Sequence, residues 1–227
     1  MAKQTKPKES VGPVSHLRVL QKDEAVSLDS LSSEDLMLEH GQGSEEAFEL
    51  LVERHQKPVL NYIYRMVQNR QVAEEITQEV FLALVKNAHR YQPTAKFTTY
   101  LYTIASNMVS KEWLRRKRRP VLLSIFSNWS RSDSDGSTFH PLEHVADEKA
   151  DTLKKFRTVE VSRAVNEALE HLPAHQREAF VLRRFQDLSY NEIAEITGVP
   201  VGTAKSRVVR AERALRPYLE RFREYVT

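Results

Sequence analysis

Apolar residues recur every three to four positions along most of the chain, and this spacing is typical of amphipathic helices. No segment alternates apolar and polar residues for long enough to predict a strand. In the first half, the pattern predicts a helix capped by Ser44, a second beginning at Pro58, a third after Arg70 and a fourth from about Phe97 to Arg118. Serine suits an N-cap and proline suits a first helical turn. The predicted fold is therefore all-α.

A polar segment separates these helices from a second helical group. Pro120 ends the fourth helix, and residues 121 to about 155 are rich in Ser, Asp, Asn and Gly, which is typical of a flexible linker. Two small helical domains joined by this linker are therefore predicted. The predicted boundaries are an N-terminal tail over 1–32, a first domain over 33–119, a linker over 120–158 and a second domain over 159–227.

The second domain is predicted to contain a helix-turn-helix. Ser189 is a candidate N-cap, and Glu192, three residues later, completes a capping box. Gly198 permits the left-handed backbone of a tight turn. The helix that follows has an apolar stripe on one face and a polar, cationic opposite face, which fits the major groove of DNA. The residues on that outer face are Lys205, Ser206, Val209, Arg210 and Arg213.

This motif leaves two alternatives open. Two short helices joined by a small-residue turn also occur as a purely structural corner, although the cationic face favours DNA binding. Val209 is apolar but lies on the outward side, beside Ser206 and Arg210. It is either an exposed valine of the common kind or a contact for a thymine methyl group.

The fourth predicted helix combines aromatic residues at its start with the basic run RRKRR at 115–119. Cations at a helix C-terminus favour the helix dipole, but five in succession exceed that need and indicate phosphate contacts. Stacking of an exposed base on an aromatic ring contributes ~1–3 kcal/mol, so this helix suits a single strand. Helical spacing also places Phe97, Tyr100 and Leu101 near one face, so at least one of the two rings is expected to be buried.

Charge is distributed unevenly along the chain. The formal net charge is only +3, but residues 34–80 hold ten acidic and four basic residues. Residues 96–119 hold seven basic residues and one acidic residue. This distribution predicts two kinds of partner, one for an acidic face and one that is itself polyanionic.

Composition argues against several other classes of protein. The chain has no cysteine, which excludes disulfides and thiolate sites, and its eight histidines are scattered. No catalytic residue, metal site or cofactor is therefore predicted. No apolar run approaches the roughly 18 residues of a membrane-spanning helix, and no apolar core follows the basic N-terminus. We expect a cytoplasmic protein without membrane insertion.

Three stretches match motifs of one known family: VAEEITQEVF at 72–81, KFTTYLYTIASNMV at 96–109, and LPAHQREAFVL at 172–182 with the helix-turn-helix after it. They resemble the sigma-70 family of bacterial transcription initiation factors, in the extracytoplasmic-function (ECF) group with two conserved domains. The first resembles the region 2 helix that docks on the largest polymerase subunit. The second, with the basic run, resembles the stretch that melts and binds the minus-10 element. The third resembles region 4, which binds the minus-35 element.

The resemblance implies a non-enzymatic specificity subunit that binds core RNA polymerase and directs promoter-specific initiation. The implied polymerase contacts are the clamp helices of the largest subunit for region 2 and the flap for region 4. An anti-sigma factor is implied as a further partner. Carried over by position, the clamp contacts are Glu74, Glu75, Gln78 and Glu79. The minus-35 contacts are Thr203, Lys205, Ser206, Arg207, Val209, Arg210 and Arg213. The minus-10 contacts are Phe97, Thr98, Tyr100, Asn107, Lys111, Arg115, Arg116, Arg118 and Arg119.

Other hypotheses fit parts of this pattern. Glu74 and Glu75 lie near a predicted helix start, where a solvated acidic face needs no partner. A two-domain transcriptional regulator would use the helix-turn-helix on an operator without polymerase. A nucleic-acid enzyme would need paired carboxylates or a metal cluster beside the basic face, whereas the carboxylates cluster on another helix. The chain also departs from the family, because Thr98 and Tyr100 replace the Arg and Trp common after the phenylalanine that Phe97 matches.

Overall fold

The computed structural model describes residues 27–118 and 152–220, with side chains placed over 27–117 and 160–220. All regular secondary structure in these ranges is helical, which confirms the predicted all-α fold. The predicted linker lies mostly outside them, and the first helix after it begins at Thr152 rather than near Thr158. The α-helices are α1 (Ser33–Gly41), α2 (Glu45–Val67), α3 (Arg70–Asn87), α4 (Phe97–Arg118), α5 (Thr152–Glu170), α6 (Ala174–Phe185), α7 (Tyr190–Thr197) and α8 (Val201–Leu219), with short 3-10 helices at Leu28–Ser30 and Ala88–Arg90.

The first three helices begin at polar N-caps. The side chains of Ser32, Ser44 and Asn69 each accept the backbone N–H three residues later. Each bond satisfies a donor that a helix start would otherwise leave unpaired. Glu45 and Glu46 in the first turn of α2 add a favourable interaction with the helix dipole.

Helix α2 corrects the prediction of two helices separated at Pro58. It runs without interruption from Glu45 to Val67, with Pro58 inside it. An internal proline loses one backbone hydrogen bond and costs about 3 kcal/mol in a helix. Residues on both sides of it, including Leu51, Val59 and Tyr62, are fully buried. Tertiary packing of this long apolar face therefore outweighs the local penalty.

The first domain is built around α2, which packs against α1, α3 and α4. Its core includes Met37, Ile63, Leu84 and Leu101, all fully buried. At the end of α1, a Cβ on Gly41 would lie 2.8 Å from the carbonyl oxygen of Ala88. Glycine is therefore required there by the close approach of two backbones.

The second domain contains the predicted helix-turn-helix, formed by α7 and α8. The capping box between Ser189 and Glu192 is present in full, and Gly198 adopts the left-handed conformation with φ 65°. Helix α8 begins directly after the turn. The predicted apolar stripe of α8 is buried against α6 and α5 and consists of Ala204, Val208, Ala211 and Leu215.

The two domains pack against each other in this structure. Helix α6 lies on α2, and α7 lies on α4. One hydrophobic core therefore continues from the first domain into the second. In the part of the chain that the structure describes, no helix is both long enough and apolar enough to traverse a bilayer. The same residues contain no group of three His, Asp or Glu side chains suited to a metal ion.

Candidate polymerase and nucleic-acid interfaces

Helix α3 presents the predicted acidic face to solvent. Glu74, Glu75, Gln78 and Glu79 are all exposed. Ile76 and Thr77 between them, and Ala73 and Val80 on either side, are buried against the rest of the first domain. Buried and exposed residues thus alternate with helical spacing, which holds the four polar side chains on one rigid surface.

This acidic face has an apolar border that the sequence analysis missed. Leu82 and Val85 follow it on α3 and are 55% and 42% exposed. Large apolar residues exposed together often mark a protein-binding surface. The signal was available in the sequence, because Leu82 and Val85 lie off the buried stripe of α3.

Glu112 organises the beginning of the basic run. It is 8% exposed and accepts N–H groups from Arg115 at 2.5 Å and Arg116 at 2.8 Å. The hydrogen bond from Arg115, with further help from Arg116, holds the pKa of Glu112 below its usual value. Arg116 also donates to the carbonyl oxygen of Val67 at 3.1 Å. The guanidinium groups of Arg115 and Arg116 are exposed to solvent, and these hydrogen bonds hold them in fixed orientations.

Further cations of α4 extend the basic surface. Lys111 and Lys117 are exposed on α4. The side chain of Arg118 and the whole of Arg119, both predicted DNA contacts, lie outside the described residues. Arg115 also lies near Glu75 and Glu79, whose charges contribute after Glu112 to raising its pKa. The acidic face of α3 and the basic end of α4 are therefore neighbours.

The predicted minus-10 residues near the start of α4 differ in accessibility. Phe97 is 1% exposed, with its ring 5.0 Å from that of His55 and 6.3 Å from that of Tyr91 between centroids. Its backbone N–H donates to Glu34 at 2.6 Å. The expectation of a buried ring is thus met by Phe97, which anchors the helix start. Tyr100 is half-buried, with its ring 5.3 Å from Tyr91.

Two further predicted minus-10 contacts on α4, Thr98 and Asn107, are more accessible than Phe97. Thr98 is half-buried, and Asn107 is exposed a few turns further along the helix. Asn107, Lys111, Arg115 and Arg116 are therefore accessible, while Phe97 is enclosed.

A cleft beside Tyr100 was not predicted from the sequence. It has a volume of about 210 Å³ and is lined by Tyr91, Gln92, Thr94, Ala95, Tyr100, Thr103 and Glu195. The hydroxyl of Tyr91 is buried and has no hydrogen-bond partner among the described residues. Burial raises the pKa of Tyr91 to about 12, so the hydroxyl keeps its proton at neutral pH. Tyr91 thus lines the cleft, while its hydroxyl stays buried and without a partner among the described residues.

Helix α8 presents most of its predicted DNA contacts outward. Lys205, Val209, Arg210 and Arg213 are exposed. Thr203, Ser206 and Arg207 are half-buried, and the Ser206 hydroxyl donates to the carbonyl oxygen of Thr203 at 2.9 Å. Val209 is 42% exposed, which fits both an ordinary surface valine and a contact for a thymine methyl group.

Comparison with known proteins agrees with this arrangement. The family descriptions Sigma-70 region 2 and Sigma-70, region 4 match residues 51–119 and 162–215. The chain is 30% identical to the RNA polymerase sigma-H factor of Pseudomonas aeruginosa, over 78% of this chain and 90% of that protein. It is 32% identical to the ECF RNA polymerase sigma factor SigW of Bacillus subtilis, over 78% of this chain and 91% of that protein.

A solved structure has a similar fold. It is the sigma factor RpoE of Bartonella quintana in complex with the anti-sigma factor NepR. The TM-score is 0.52 at 26% identity, covering 76% of this chain and 94% of that one. The helical architecture, both region matches and the near full-length relatives point to one conclusion: the chain belongs to the ECF group of the sigma-70 family.

Proposed function

We propose that the protein binds core RNA polymerase and directs promoter-specific transcription initiation. The observation that carries this proposal is the pair of distinct exposed surfaces on domains that match regions 2 and 4. One is the acidic face of α3, and the other is the polar, cationic face of α8. A single-site operator-binding protein needs only the second.

The polymerase contact is assigned to α3. Glu74, Glu75, Gln78 and Glu79 bind the clamp helices of the largest subunit, and Leu82 and Val85 add apolar area at the border. Exposed carboxylates beside apolar side chains suit a basic, partly apolar partner, because charge guides encounter and apolar burial gives affinity. The second domain binds the polymerase flap.

The minus-10 strand is assigned to α4 and the cleft beside it. A base removed from the duplex costs a few kcal/mol of unstacking, so a receiving surface is needed. Tyr100, which is half-buried and lines the cleft, provides such a surface. Asn107, Lys111 and the basic run from Arg115 to Arg119 track the backbone. Phe97 contributes by holding the start of α4 in place.

The minus-35 duplex is assigned to α8. Lys205, Ser206, Val209 and Arg210 face bases in the major groove, and Thr203, Arg207 and Arg213 lie nearer phosphates. Arg and Lys contacts to guanine are worth about 1–3 kcal/mol of discrimination each. An anti-sigma factor is proposed as a regulatory partner, since the related sigma factor of Bartonella quintana was solved with one.

Run-off transcription on genomic fragments tests the proposal. Core polymerase with this protein is expected to start at new, specific promoters. The variant Glu75→Arg with Gln78→Ala removes two exposed side chains of α3 and should abolish those transcripts. Glu46→Arg with Gln56→Ala makes the same changes at exposed positions of α2 and serves as the matched control.

Two results would contradict the proposal. Retention of full transcription by the α3 variant would remove the assigned polymerase contact. Absence of new start sites, combined with specific binding of a duplex by the protein alone, would favour the transcriptional regulator instead.

A further inference from the structure

A buried carboxylate lies within the basic end of α4. The side chain of Glu112 is 8% exposed, whereas those of its partners Arg115 and Arg116 are 54% and 41% exposed. Lys111, the residue before it, is exposed as well. A carboxylate on a surface that binds phosphates lowers the local positive potential. Glu112 therefore weakens strand binding unless it improves the placement of the cations around it.

Glu112 joins two arginines through separate oxygen atoms. Its Oε2 accepts the Nε–H group of Arg115 at 2.5 Å, and its Oε1 accepts the Nε–H group of Arg116 at 2.8 Å. The three side chains lie on one face of α4, because positions three and four apart are neighbours on a helix. Each bond uses one N–H group of a guanidinium that carries several, so donors remain on both arginines for phosphate oxygens.

Arg116 is fixed at a second point. Its Nη1 donates to the carbonyl oxygen of Val67 at 3.1 Å. Val67 is the last residue of α2, where carbonyl groups lack partners within the helix and carry partial negative charge. Glu112 and the end of α2 thus hold Arg116 between them. The conformational entropy of this side chain is therefore lost on folding rather than on binding a strand.

Arg115 is subject to two competing attractions. Besides Glu112, the charges of Glu75 and Glu79 on α3 act on its guanidinium. The hydrogen bond goes to Glu112, whereas the effect of Glu75 and Glu79 is coulombic. Without Glu112, attraction toward the acidic face of α3 would be unopposed. The bond to Glu112 therefore holds Arg115 against that attraction.

We propose that Glu112 is a positioning residue, which holds Arg115 and Arg116 in the orientations that bind phosphates of the minus-10 strand. Its loss lowers the affinity for a single strand, although it removes a negative charge from a basic surface. The physical reason is that two free arginines lose side-chain entropy when they bind phosphates, and two oriented arginines do not. The inference rests on the proposed contact of α4 with the minus-10 strand and adds a residue that acts there through the two arginines.

Removing the charge of Glu112 tests the sign of the effect in the full chain. Glu112→Gln keeps the shape of the side chain but leaves a single oxygen atom to accept from two arginines. Its affinity for a fluorescein-labelled pool of random DNA strands of about 15 nucleotides should fall by about tenfold. Glu167→Gln is the matched control, because Glu167 accepts the Nε–H group of Arg163 at 3.0 Å on α5 in the second domain. The control should leave the affinity within about twofold of the starting value.

The salt dependence of binding separates positioning from loss of folded protein. The logarithm of the affinity for a single strand falls with the logarithm of salt concentration, with a slope of about −0.7 per phosphate contact. Glu112→Gln should make this slope shallower by about 0.7 for each arginine that no longer meets a phosphate. A smaller folded fraction would lower the amount bound and leave the slope unchanged. A steeper slope with higher affinity would overturn the inference, because simple removal of a repulsive charge gives that result.

The same substitution in a second background shows whether Glu112 acts through the arginines. Arg115→Gln with Arg116→Gln removes both cations but keeps side chains that can donate to Glu112. In this background Glu112→Gln should raise the affinity, since only its negative charge is left to act on the strand. A fall of similar size in both backgrounds would overturn the inference, because a general structural defect lowers the affinity whether or not the arginines are present.

The proposed function is tested separately by the arginine variant itself. Arg115→Gln with Arg116→Gln should lower both the affinity for the strand pool and run-off transcription with core polymerase. Unchanged values in that variant would refute the assignment of the basic run to the minus-10 strand, and the inference with it. A loss in that variant, combined with equal or higher affinity in Glu112→Gln, would refute the positioning role of Glu112 alone.

Discussion

Glu178 gives the contact between the domains a dependence on pH. It lies on α6 and is 7% exposed, and its Oε1 accepts hydrogen bonds from the hydroxyls of Tyr62 on α2 and Ser106 on α4. Burial raises the pKa of Glu178 there, against the opposing effects of these two hydroxyls and of the charges on Arg207 and His175. With the domains apart, the carboxyl faces water and titrates near its usual pKa of about 4.3. Contact between the domains is therefore favoured most below that value, and its advantage falls as pH rises through the raised pKa.

This dependence can be measured by fluorescence energy transfer between the domains. Dyes attached at Lys86→Cys and Glu160→Cys, both exposed, should lose transfer efficiency as pH rises above about 4.3, the usual pKa of a glutamate. Glu178→Gln keeps the shape of the side chain without the titration, and its transfer efficiency should stay nearly constant. His175→Gln should retain the decrease, because the buried carboxyl remains. A decrease that persists in Glu178→Gln would assign the effect to another group.

The burial of individual aromatic residues could not be predicted from the sequence. The aromatic character of Phe97 and Tyr100 was evident, but helical spacing could not decide which ring is enclosed. Phe97 is covered because the neighbouring Tyr91 and His55 come from other parts of the chain. Tyr91 itself was assigned to a loop, and its unpaired hydroxyl depends on burial that a local pattern does not encode.

At the scale of elements, local signals predicted the helix-turn-helix better than they predicted α2. The capping box at Ser189 and the turn at Gly198 satisfy backbone groups within a few residues, so sequence alone determines them. Pro58 is a strong local signal for a helix start, yet it lies inside α2. The helix continues through Pro58 because both of its halves bury an apolar face against neighbouring helices, which come from distant parts of the chain.

Helix α8 allows a matched test of minus-35 recognition. Arg210 and Arg216 are both exposed, but Arg210 lies on the outer face beside Val209 and Arg216 lies in the last turn. Arg210→Ala should weaken initiation at the promoters found by run-off transcription by about tenfold, since a base contact is worth about 1–3 kcal/mol. Arg216→Ala should have a small effect. Equal losses in the two variants would indicate a general electrostatic contribution rather than base recognition.

At the scale of the whole molecule, the sequence predicted two domains but not their contact. Glu178 lies in an amphipathic helix, where a glutamate is ordinarily solvated. Its partners Tyr62 and Ser106 are distant in sequence, and neither belongs to a recognisable motif for interdomain contact. The pairing depends on how the two domains are placed relative to each other, which hydrophobic periodicity does not determine.

The contact between the domains and the binding of DNA should differ in their response to salt. The contact consists mainly of hydrogen bonds and ring packing, and its peripheral ion pair, between Lys96 and Glu192, has a Lys96 side chain that is 73% exposed. Exposed ion pairs contribute little and are screened by salt, whereas buried contacts are screened much less. Raising KCl from about 0.1 to about 0.5 M should therefore leave energy transfer between the domains nearly unchanged. Over the same range, the affinity of the protein for single-stranded DNA should fall by about tenfold or more, because phosphate contacts release counterions.

The opposite pattern would have a definite meaning. If energy transfer fell steeply with salt, contact between the domains would depend on the ion pair between Glu192 of α7 and Lys96 at the start of α4. Lys96→Gln would then separate the domains and lower energy transfer. With the hydrogen bonds of Glu178 and Gln186 observed across the domains, Lys96→Gln should instead leave energy transfer nearly unchanged.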